Sequence, residues 1–157
     1  EKGLGVSKIL GDILGPMLFA LCMAVSRTLY GLKGREINLH AFMSVSTGLC
    51  IVAYMIITFV PSSVIALLGC GLAGFSVGIF WPGTFSAASA LVKGRGTLLF
   101  ALLALAGDLG CSGGPTLAGA VAGLAGDNIR SGIGGGCIFP LFMGIALMIL
   151  RKRSISS

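Results

Sequence analysis

Fifty-two consecutive residues between His40 and Lys93 carry no formal charge. About 20 apolar residues in a helix cross the roughly 30 Å of a bilayer's hydrocarbon core. The run is therefore long enough for two crossings, with Pro61-Ser62-Ser63 as the turn between them. Asp108 is the only charge between Arg95 and Asp127, and Ser131 to Leu150 has none. Near the start, Ile9 to Tyr30 spans if Asp12 or Arg27 sits at or just inside the interface. Five spans are expected, at 9–31, 38–60, 63–92, 97–125 and 131–150, followed by a basic tail at 151–157. Membrane β-barrels use alternating strands of about ten residues, which these long runs are not. Bundled helices satisfy their backbone groups in lipid. Only 10% of the 157 residues are charged and the mean hydropathy is +1.02, against about 25% charged in soluble domains. The chain reads as an all-α, polytopic membrane bundle.

The basic residues give the orientation. Arg27, Lys33, Arg35, Lys93, Arg95, Arg151, Lys152 and Arg153 fall on one side, leaving Lys2, Lys8 and Arg130 on the other. Cytoplasmic loops carry the excess of Lys and Arg, so the chain is expected to start outside and end in the cytoplasm. It begins with Glu1 and has no signal peptide. An odd number of spans with an outside start leads to the expectation that this is the second half of a longer protein.

Several function classes drop out. The net charge of +6 is a matter of topology, because no basic run is interleaved with aromatics as nucleic-acid binding would need. The cysteines (Cys22, Cys50, Cys70, Cys111, Cys137) are scattered one per hydrophobic segment without C-x-x-C spacing, which argues against a zinc site or redox pair. No paired carboxylates, nucleophile elbow, phosphate loop or metal set is present. No cofactor and no enzymatic activity are expected.

The remaining signals sit inside the spans. Gly69, Gly71, Gly74 and Gly78 recur in the third span, and Gly110/Gly114 and Gly119/Gly123 are G-x-x-x-G pairs in the fourth. Small residues at that spacing let helices approach closely, for static packing or for a moving interface. "GIFWPGTFSAAS" (Gly78 to Ser89) places Phe80, Trp81 and Pro82 within the third span. Proline removes a helical hydrogen bond and kinks the helix. Trp81, the only tryptophan, is either core packing or an aromatic platform for a solute, with Thr84, Ser86, Ser89 and Ser76 as nearby donors. Asp108 lies near the middle of the fourth span, where a bare carboxylate is costly. It either ties helices together or serves as a protonatable coupling or substrate-binding group. Asp12, a turn or two in from the outer end, caps or lines the outer mouth. Gly15-Pro16 and Gly114-Pro115 suggest kinked helices. His40 reads as a solvated interfacial residue, and RKRSISS as an anchor to anionic headgroups.

"MAVSRTLYGLKGREINL" (Met23 to Leu39) resembles the loop signature of the major facilitator superfamily. Gly34-Arg35 keeps its Gly-Arg core, while Glu36 replaces a second basic residue and Gly31 stands where the motif has aspartate. "GFSVGIFWPGTFSAASALVKGRGTLLFALLALAGDLGCSGGPTLAG" (Gly74 to Gly119) is similar to the tenth and eleventh helices of fucose permease-like sugar transporters. The resemblance makes the five spans helices eight to twelve, most of a C-terminal six-helix half. It implies a bacterial inner-membrane secondary transporter working by alternating access. Its partners would be a proton, the bilayer, the N-terminal half, and a sugar or other small polar solute. It implies that Trp81, Phe80 and Thr84 meet the solute and that Asp108 is the protonatable or hydrogen-bonding group. Asp12 is a second coupling candidate. Pro82, Gly110, Gly114 and Pro115 would set bends and packing, and Arg27, Gly34 and Arg35 would form the cytoplasmic motif. A drug/proton antiporter of the same fold is the alternative, with a non-transporting sensor or assembly protein as the rival from another class.

Overall fold

The computed structural model describes residues 8–34, 37–91, 96–126 and 128–155. Those residues form helices joined by short turns: α1 (Lys8–Lys33), α2 (Leu39–Phe59), α3 (Ser63–Val77), α4 (Phe80–Leu91), α5 (Gly96–Leu124), α6 (Ile129–Gly135) and α7 (Ile138–Ile155). Five stretches are long and apolar enough to cross a membrane: Ile13–Lys33, Leu39–Phe59, Val64–Ala90, Gly96–Leu124 and Ile129–Leu150. The fold is an all-helical, multi-pass membrane bundle, and the spans fall within a few residues of those expected.

Two spans differ from expectation. The third and fifth are each a pair of helices in line, α3–α4 and α6–α7, interrupted at Gly78-Ile79 and at Gly136-Cys137. The same local grammar produces both. A proline lacks an amide hydrogen, and its ring crowds the carbonyl four residues back. For Pro82 that residue is Gly78; for Pro140 it is Gly136. The interruption thus falls one turn before Pro82, where the bend had been expected, and Pro140 causes a second one. At the second break the chain tightens into i→i−3 bonds, Gly136 N–H to the Ile133 carbonyl at 2.9 Å and Cys137 N–H to that of Gly134 at 3.1 Å. Pro16 and Pro115 have Asp12 and Cys111 four residues back, and α1 and α5 run through them unbroken. The basic tail expected as a separate segment continues α7, which runs on to Ile155.

Caps and turns set the remaining ends. The Asn38 side chain accepts from the Ala41 amide at 3.2 Å and opens α2; Asn128 accepts from that of Arg130 at 3.0 Å and opens α6. Both are the expected use of a short polar side chain at a helix start. Arg130 Nη2 donates to the Pro61 carbonyl at 3.1 Å, tying the start of α6 to the α2–α3 turn.

Helix α2 is the hub, packing on α3, α4, α6 and α7, while α1 leans on α3. Helix association in lipid has little hydrophobic driving force and relies on close contact of small residues. The α1–α3 crossing meets that requirement. A Cβ on Gly74 would strike the Phe19 backbone, one on Gly78 would lie 2.8 Å from the Ser26 Cβ, and one on Gly71 3.1 Å from Leu18. Those glycines are packing residues. The enclosed core is small: Met43, Ile79 and Leu147, flanked by Tyr30, Leu39, Phe42, Phe80 and Met143. Helix α5 has no buried residue and packs chiefly on α6, with a smaller contact to α4. A Cβ on its Gly110, Gly113, Gly114, Gly119 or Gly123 would meet nothing within 4 Å.

Candidate functional site

Two neighbourhoods gather the chemistry. The first is the α4–α5 face. Trp81 is seated on α5 at Gly107, where a Cβ would lie 2.7 Å from the ring atom Cζ3 and 2.8 Å from Cη2. Only a residue without a side chain lets the indole approach the helix that closely. Phe85, one turn along α4, meets Trp81 edge-on with ring centroids 4.8 Å apart, and Phe100 of α5 stacks on Phe85 at 4.9 Å. These separations lie in the favourable range for aromatic pairs. Trp81 is nevertheless 46% exposed.

Asp108 follows Gly107 and stands a quarter turn round α5, at 3.6 residues per turn. It is exposed, as are most of its neighbours on that helix, and no described side chain pairs with it. Thr84 is half-buried on α4. Trp81 and Asp108 therefore flank one stretch of α5, with the polar group and the exposed indole both outside the packed interior.

The second neighbourhood is a crevice inside the chain, in two adjoining lobes of about 370 and 330 Å³. Tyr54, Gly114 and Phe139 line both lobes. Phe19, Cys70, Pro115 and Gly136 border the first; Cys50, Phe80, Gly110 and Pro140 border the second. Both broken spans face it, because Phe80 follows one interruption and Phe139 the other. The Tyr54 ring lies over Gly136, where a Cβ would be 2.9 Å from Cε1.

The expected site residues thus separate. Phe80, Gly110, Gly114 and Pro115 line the crevice, while Trp81 and Asp108 lie on the α4–α5 face and Thr84 lines neither lobe. Arg27, expected in the cytoplasmic loop motif, lies inside α1, and its Nε donates to the Gly78 carbonyl at 3.4 Å. That is the carbonyl Pro82 leaves without a helical partner. Ser26 beside it is wholly buried, and its hydroxyl has no hydrogen-bond partner. Gly34 ends α1, and the Arg35 expectation falls outside the described residues, as does the side chain of Asp12. No group of three or more His, Cys, Asp or Glu able to hold a metal occurs among the described residues.

Tyr54, Phe139 and Pro140 were not anticipated. The signal for the last two was "GCIFP" (Gly136 to Pro140), which repeats the Gly-x-x-aromatic-Pro pattern of "GIFWP" (Gly78 to Pro82). Tyr54 had no signal of its own, since its place over Gly136 depends on how α2 meets α6. Compared with known proteins, the chain matches no family model, no curated protein and no solved structure.

Proposed function

We propose that this chain is most of the C-terminal half of a major facilitator-type secondary transporter, carrying a sugar or another small polar solute with a proton. The observation that carries the reading is Asp108, an ionisable group in the middle of a membrane helix that nothing among the described residues covers. A carboxylate at that depth is stable only against water, a partner group or a proton. A solute path between this bundle and further helices supplies all three, and the half-exposed Trp81 offers a stacking surface on the same stretch. The interrupted spans support the same reading, because broken helices are the recurring way transporters build sites near the bilayer midplane. On this reading Asp108 binds and releases the proton, Trp81 stacks on the solute, and Thr84 donates a hydrogen bond. The membrane is the bacterial inner membrane, with the Arg151 end in the cytoplasm.

The test is solute uptake by the full-length protein in liposomes under an imposed inside-alkaline pH gradient. The gradient should drive accumulation of a labelled sugar, and Asp108→Asn should abolish the pH-driven part while leaving exchange down a solute gradient. Gradient-insensitive uptake in the unaltered protein would overturn the coupling role. Binding without flux would turn the assignment to a membrane sensor that uses the same bundle.

A further inference from the structure

The crevice at the two interrupted spans has a chemistry of its own, distinct from the Trp81–Asp108 face. We infer that it is a binding site for a small, uncharged aromatic molecule bearing a single hydrogen-bonding group.

Four aromatic rings stand among the lining residues. Phe19, Tyr54, Phe80 and Phe139 enter from α1, α2, α4 and α7. Aromatic rings prefer offset or edge-on partners at 4.5–7 Å between centroids, an arrangement that such walls present to a flat guest. Gly110 and Gly114 form the opposite wall, where a Cβ would touch nothing within 4 Å, so the space between rings and α5 stays open. Each lobe falls within the usual 300–1,000 Å³ of small-molecule sites, which combine apolar walls with a few placed polar groups.

The polar inventory sets the ligand class. No charged side chain lines either lobe among the described residues, so an ion entering would lose its hydration without a counter-charge. Tyr54 is the only hydroxyl-bearing residue lining the lobes among the described residues. A sugar would leave most of its hydroxyls without a partner on these apolar walls. One donor or acceptor on the guest matches one phenol on the wall. The inference stands apart from the transport reading, since the crevice lies within this chain and its test reads no flux.

Cys50 and Cys70 border one lobe each, and Cys111 is exposed on α5 and borders neither. Alkylation of the full-length protein in detergent with N-ethylmaleimide, mapped by mass spectrometry, therefore reports occupancy with an internal control. Indole should slow modification of Cys50 and Cys70 about fivefold at a concentration about four times its Kd, leaving Cys111 unchanged. Tyr54→Phe should weaken protection by indole and leave protection by toluene as it was. Gly110→Leu, which fills open space, should remove protection by both, with an unchanged melting temperature as the folding control. Protection by glucose in place of indole, stronger protection by dodecanol than by either ring compound, or no protection by any probe would each overturn the inference.

Discussion

Gly107 is where the α4–α5 contact rests on a single missing side chain. Any Cβ there meets the Trp81 ring at 2.7–2.8 Å, and the alternative is to move the indole. Gly107→Leu is expected to lower stability by about 1–3 kcal/mol, the usual cost of overpacking. It should also shift the emission of Trp81, which as the only tryptophan reports on this contact alone. An unchanged spectrum and melting temperature would mean that the ring does not sit on α5. Gly74 makes the parallel case on α3, but the obstacle is the Phe19 backbone, which cannot rotate away. Gly74→Ala should therefore be worse tolerated than Gly114→Ala, whose methyl meets nothing within 4 Å. Thermal unfolding of the two variants in detergent compares them directly.

At the scale of the helix, the decisive unit is Gly-x-x-aromatic-Pro, which interrupts a span wherever it occurs here. Arg27 takes part in the first interruption by donating to the carbonyl that Pro82 orphans. Arg27→Met keeps the side chain's apolar stem and removes the donor, and should cost about 1 kcal/mol, the net worth of one such bond. In Pro82→Ala the new amide can take that carbonyl, so the Arg27 change should then cost almost nothing. A double-mutant cycle on melting temperature measures the coupling; strict additivity would sink the account. The helix scale also explains what could be read beforehand. Spans follow from runs free of charge, which lipid demands of any helix, and their ends were legible for that reason. Pro82 announces the bend of the third span, but its position at Gly78 is hidden because Gly78 is also a packing residue. Pro140 passed as one apolar residue among many, although its Gly136 partner stood four places before it.

For the whole molecule, the loosely attached member is α5, with no buried residue and its main contacts to α6 and α4. Cys111 on α5 is expected to react with a permeant maleimide well before Cys50 of α2, which is 2% exposed; equal rates would show that α5 is covered. The crevice belongs to this scale too. Its walls come from all seven helices, so no local pattern could announce it, and the register of α2 that puts Tyr54 over Gly136 is a property of the assembled bundle. Trp81 and Asp108 were individually more accessible, since one carboxylate and one indole stand out against so apolar a background. The lean of α1 onto α3 carries a consequence for the order of assembly. During synthesis α1 leaves the ribosome before α3, and the glycines that receive it are made about 50 residues later, a wait of several seconds at the usual 5–20 residues per second. Through that interval α1 must persist without the small-residue face of α3 on which it finally packs.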